Sequence, residues 1–168
     1  IELHNIHNRL FTEKDGAFHD YASAATLRRL FEKKLEIPCI DVVADIADSE
    51  CETDTIDEIK RCIEIANNLR IPYIRMRANN STDKEAATAQ VVKTIEAVHC
   101  IAIDNNVTLL IETSGLFAVT KTLCEVLDSF ASDNVAALWH LSHAYFAGKE
   151  SPEQVIKNLG AYVKHVHF

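Results

Sequence analysis

Short β-rich runs alternate with longer segments of helical period along the whole chain, and this alternation restricts the fold more than any other feature. Repeated βα units place successive strands side by side in one parallel sheet, with helices covering it. The strand candidates are Ile1–Ile6, Ile37–Val43, Tyr73–Arg77, Val107–Glu112, Val135–His140 and Tyr162–Phe168. Five helices fall between these six strands. Strand onsets roughly every 30 residues match one βα unit and admit either a barrel or an open doubly wound sheet. An open sheet would usually carry a glycine-rich turn after its first strand, and Asn8-Arg9-Leu10-Phe11 offers no phosphate cradle. The pattern leans toward a barrel.

The helix after the second strand shows its period clearly. Ile56, Ile59, Ile63, Ala66 and Leu69 form one stripe, opposite Asp57, Lys60, Arg61 and Asn68. Thr55 with Glu58 predicts a capping box at its start, and Thr82 with Glu85 predicts another before the segment that ends at Asp104. Ser151-Pro152-Glu153-Gln154 repeats the device, with Pro at the first helical position and Gly160 near the helix end.

At 168 residues and 48% apolar composition, the chain can bury a substantial core, and a single domain over 1–168 is expected. Four Gly and three Pro leave no room for a long linker; the longest polar stretch, Asn79 to Glu85, predicts one surface loop. The formal charge of -8 argues against a nucleic-acid partner, because duplex affinity comes from clustered Lys and Arg. A small polar molecule fits better. Five widely spaced cysteines without a CxxC pair indicate neither a disulfide framework nor a thiolate zinc site, and read as reduced thiols of a cytoplasmic protein. No stretch approaches the roughly 20 consecutive apolar residues of a membrane span, and no secretory signal is evident. The chain begins at Ile1 and stops at Phe168 inside apparent strands, which reads as part of a longer protein. Exposed strand edges at Ile1–Ile6 and Tyr162–Phe168 would then favour a homo-oligomer.

The candidate chemistry collects where apolar runs end. Glu112 closes Thr108-Leu109-Leu110-Ile111 and precedes Thr113-Ser114-Gly115, so in a parallel barrel it lies on the catalytic rim. A helix-capping or salt-bridged acid is the plain alternative. His140 and His143 follow Ala137-Leu138-Trp139, and imidazoles there can ligate a divalent metal or move a proton near neutral pH. His165 and His167 are two apart and share one strand face, with His167 nearer the strand's end. Arg75 and Arg77 also share a face and could clamp a carboxylate or phosphate, or pair with Asp41 or Asp45 on a neighbouring strand. Of Glu2 and His4 on the first strand, His4 lies nearer the rim and is the favoured candidate.

These residues resemble the xylose isomerase-like barrels, which include sugar phosphate isomerases and epimerases and the family 2 apurinic endonucleases. Leu110-Ile111-Glu112-Thr113-Ser114-Gly115 is similar to the fifth-strand motif written with Glu-Thr-His-Gly, and Leu138-Trp139-His140-Leu141-Ser142-His143-Ala144-Tyr145 to a sixth-strand motif Leu-Trp-Asp-x-x-His-Pro-Tyr. Gly148 to Glu153 and Tyr162 to Phe168 resemble the helix start and seventh strand that follow. The resemblance implies an α/β fold, a partial (β/α)8 TIM barrel carrying strands two to seven without the first and eighth. It implies that Glu112 binds metal and takes part in proton transfer, that His167 is a metal ligand, and that His143 binds substrate. A fourth ligand, a Glu on the eighth strand, would lie beyond Phe168, so this chain alone is expected to be inactive.

His140 stands where the family has a ligating Asp and Ser114 where many relatives carry His. Imidazole still suits Zn or Mn, whereas losing a negative ligand disfavours Mg. The divalent metal could be Mn, Zn, Co or Mg. The expected activity is isomerisation or epimerisation of a ketose or sugar phosphate by proton transfer beside its carbonyl, with His4, Arg75 and His165 as further substrate-binding candidates. A noncatalytic sugar-binding barrel and, less favoured, a metal-dependent phosphodiesterase are the alternatives.

Overall fold

A computed structural model describes residues 2–3 and 17–168. Five parallel strands form one sheet in sequence order: β1 (Cys39–Asp45), β2 (Tyr73–Arg77), β3 (Thr108–Glu112), β4 (Val135–His140) and β5 (Val163–His167). Helix α1 (Asp20–Glu32) precedes β1, and α2 (Glu52–Leu69), α3 (Lys84–Asp104) and α4 (Thr120–Phe130) make the first three connections, with a short 3-10 turn at Gly115–Phe117. Of the expected first strand, only Glu2 and Leu3 are described; Leu3 bridges Ile40 in parallel and exchanges backbone hydrogen bonds with Cys39 and Asp41. This is the α/β partial barrel expected.

The last connection holds two helices, α5 (Leu141–Phe146) and α6 (Pro152–Leu159), where the sequence pattern suggested one. Two backbone features separate them. A Cβ on Gly148 would lie 2.0 Å from the Ala118 carbonyl oxygen, and Lys149 takes a left-handed φ of 58°. Strand β1 starts at Cys39 and not Ile37, directly after Pro38, whose ring nitrogen has no hydrogen to donate to a ladder.

Period-two alternation gives the sheet two different faces. Ile40, Val42, Ile74, Met76, Leu109, Ile111, Val135 and Ala137 enter the large core beneath the helices. Helix α2 lays Ile59, Cys62, Ile63, Ala66 and Leu69 against it, and α3 adds Val91, Ile95 and Val98. By length and composition α3 could cross a membrane, but this stripe gives it the place of a core helix. On the opposite face Leu110, Ala136 and Leu138, with Tyr73 against them, make a second, smaller apolar cluster.

Helix starts follow the sequence only in part. Ser151 caps α6 by accepting from the Gln154 N–H, with Pro152 in the first turn, as expected. The cap of α3 is Asp83 and not Thr82: its carboxylate accepts from the Ala86 N–H at 3.0 Å. Helix α2 starts at Glu52, so Thr55 is a buried interior residue and no capping box forms there. Glu58 instead accepts the Val43 N–H at 2.7 Å, tying the helix to β1.

Candidate metal and acid/base site

The face of the sheet turned away from the helices carries the candidate residues because of their parity. Asp41 lies between core-facing Ile40 and Val42, Arg75 between Ile74 and Met76, and Glu112 and His140 two residues beyond Leu110 and Leu138. Register aligns them laterally: Asp41 is opposite Arg75, and His140 opposite His167. Asp41 and Arg75 are level with apolar Leu110 and Ala136, Glu112 with Leu138, and His140 and His167 lie beyond them toward the C-terminal ends of the strands.

Glu112 is 1% exposed and Asp41 6% exposed, so two acids have been drawn almost wholly out of water. Arg75 lies between them. Its Nε donates to Glu112 Oε2 and its Nη1 to Asp41 Oδ2 at 2.9 Å. Burial alone would lower the guanidinium pKa, but the two carboxylates outweigh it and push it above its ordinary value. The salt-bridge alternative considered for Arg75 therefore holds for Asp41, and Glu112 is a second partner. Asp45 has other work: its carboxylate accepts the backbone N–H groups of Ala47 and Asn79.

The imidazoles gather around Glu112. One donor atom each from Glu112, His140 and His143 lie within 4.8 Å of one another. The His140 and His143 rings meet edge-on with centroids 4.3 Å apart, and His140 and His167 at 5.7 Å. The backbone N–H of His140 donates to Thr113 Oγ1 at 2.9 Å, while the Thr113 N–H donates to the Leu138 carbonyl, which ties the rim of β4 to that of β3. His140 Nδ1 is 3.1 Å from Ser142 Oγ. Burial lowers the His140 pKa; Glu112 opposes that, while His143, His167 and Arg75 reinforce it, so the ring holds its second proton less tightly than an ordinary imidazole. His143 is exposed at the mouth of the site.

A second group of donors comes from the ends of the sheet. Glu2 accepts from His165 Nε2 at 2.5 Å and from His167 Nε2 at 2.6 Å, and these three residues also place ligand atoms within 4.8 Å of one another. Burial raises the Glu2 carboxyl pKa, but the hydrogen bonds from His167 and His165 outweigh it and leave the group below the ordinary carboxylate range. His167 Nδ1 turns to the other group, 4.0 Å from Glu112 Oε2. Glu112, His140, His143, His165, His167 and Arg75 are thus brought to one face, while His4 lies outside the described residues. Glu2 and Asp41 are the site residues that strand-end position did not single out.

The chain matches the xylose isomerase-like TIM barrel family over residues 3–168. It belongs to that family. No curated protein matches it by sequence. Among solved xylose isomerase-like barrels, the xylose isomerase domain protein from Planctomyces limnophilus superposes with a TM-score of 0.79 at 13% identity, covering 99% of this chain and 63% of that one. D-psicose 3-epimerase in the presence of D-fructose gives 0.79 at 15% identity, covering 99% and 61%. The IolI protein with a binding zinc atom gives 0.74 at 16%, covering 92% and 56%. The chain spans less than two thirds of the length of each of these structures. At such identities the likeness establishes the shared barrel fold.

Proposed function

We propose that this chain carries the metal-binding and proton-transfer part of a sugar isomerase or epimerase that acts beside the carbonyl of a ketose or related sugar. The observation that carries the reading is the convergence of His140, His143 and His167 on the buried carboxylate of Glu112. One carboxylate with imidazole nitrogens suits a borderline divalent ion such as zinc or manganese better than magnesium, so the donor set fits the metal that the IolI structure holds. Glu112, His140 and His167 would hold the ion, and bound there it would act as a Lewis acid on the sugar's oxygens. Glu112 would move the proton on the carbon next to the carbonyl, with Arg75 fixing its carboxylate. Exposed His143 would donate to a substrate hydroxyl at the mouth, and Tyr73, Leu110 and Leu138 would exclude water.

A sugar-binding barrel without catalysis is the second reading, favoured by the engagement of Glu112 with Arg75 and by His140 in place of an acid. A phosphodiesterase reading is disfavoured by the charge of -8.

The test titrates the full-length protein with Mn²⁺ or Zn²⁺ and then with a ketohexose, and follows deuterium uptake at the carbon beside the carbonyl in D₂O by NMR. Metal-dependent ketose binding with exchange abolished in Glu112→Gln supports the enzyme reading. Binding without exchange supports the sugar-binding barrel, and failure to bind either metal or ketose defeats both.

A further inference from the structure

We propose that Glu2 is a positioning residue for His167: it holds the ring as the Nε2–H tautomer and so leaves Nδ1 bare toward Glu112. The consequence for a bound cation rests on the metal reading given above; the tautomer does not. A carboxylate near neutral pH is ionised and can only accept, so both Nε2 atoms that touch it, 2.5 Å away on His165 and 2.6 Å on His167, must donate. A neutral His167 with its proton on Nε2 has its lone pair on Nδ1. That atom lies 4.0 Å from Glu112 Oε2, too far for a hydrogen bond and near enough for one cation to sit between them.

The arrangement is a carboxylate–imidazole pair behind a ligand position, the kind of support that fixes ring orientation and tautomer. His165 takes the other oxygen of the same carboxylate. Its ring stands edge-on to His167, with centroids 5.5 Å apart, and so limits rotation of Glu2. Glu2 therefore contributes without touching the cation.

Two-bond ¹H–¹⁵N spectra of the uniformly ¹⁵N-labelled, metal-free chain near neutral pH test this, with His167→Gln to assign the ring. We expect His167 protonated at Nε2 and bare at Nδ1. In Glu2→Gln, whose amide can accept from only one of the two rings, we expect that single tautomer to be lost and zinc affinity by calorimetry to fall about 10- to 100-fold. A wild-type His167 protonated on Nδ1, or on both nitrogens, would overturn the proposal, as would unchanged tautomer and affinity in Glu2→Gln. Should that variant fail to fold, the wild-type spectrum still decides, and His165→Gln, which spares the Glu2–His167 bond, should retain the tautomer. A wild-type chain with the expected tautomer that binds no zinc would bear out the role of Glu2 and defeat the metal reading alone.

Discussion

Arg75 joins two acids that could not both be buried without it. With Asp41 6% and Glu112 1% exposed, neither carboxylate has water enough to offset its charge, and each takes a separate nitrogen of the guanidinium. Breaking such a buried arrangement from the cationic side leaves uncompensated charge. Arg75→Met should therefore destabilise the metal-free chain by about 3 to 5 kcal/mol in urea unfolding. A loss below about 1 kcal/mol would mean that the acids are neutralised by something else. The alternation of Tyr73–Arg77 was enough to put Arg75 and Arg77 on one face and to narrow a partner acid to Asp41 or Asp45, but not to choose between them. Glu2 is the opposite case: its position before His4 ranked it lower on distance from the rim. Its importance comes from a contact with residues more than 160 positions away, which no local pattern encodes.

At the scale of elements, the turn after β3 locks two rim loops together. Gly115 takes φ +53°, and a Cβ there would lie 2.2 Å from the Ala78 carbonyl oxygen, which also accepts the Leu116 N–H at 3.0 Å. The loops after β2 and β3 are thus in backbone contact, and a methyl group would force them apart. Gly115→Ala should cost at least about 2 kcal/mol, from left-handed strain together with overpacking, measured as a lowered urea midpoint. A neutral result would show that the two loops can separate freely. The strands were readable because period two and β-rich composition agree, and Ser151 with Pro152 was readable because a cap is local. Thr55 with Glu58 has the same spacing as a capping box and is not one. The backbone of β1 takes the Glu58 carboxylate, so a tertiary partner overrides the local pattern.

For the whole molecule, curvature is the property that creates the site. Strands sit about 4.8 Å apart, so five spacings separate the Leu3 bridge from β5 by roughly 24 Å in a flat sheet. Glu2 nevertheless bonds His165 and His167 directly, which requires the sheet to curl until its two ends face one another across the polar side. Two donor groups then lie close together, and a divalent ion that binds them in the native state alone must stabilise the curled form by mass action. At zinc one hundred times its dissociation constant the gain is about 2.7 kcal/mol. For a chain of this length that amounts to a rise of roughly 5 to 10 °C in Tm. Differential scanning with zinc should show this rise, and a chelator should reverse it. His140→Ala should reduce it by weakening the ion's hold, since that ring places a ligand atom within 4.8 Å of those of Glu112 and His143. An unchanged Tm at every zinc concentration would leave the curled sheet standing on its hydrogen bonds and apolar packing, with no cation in its design.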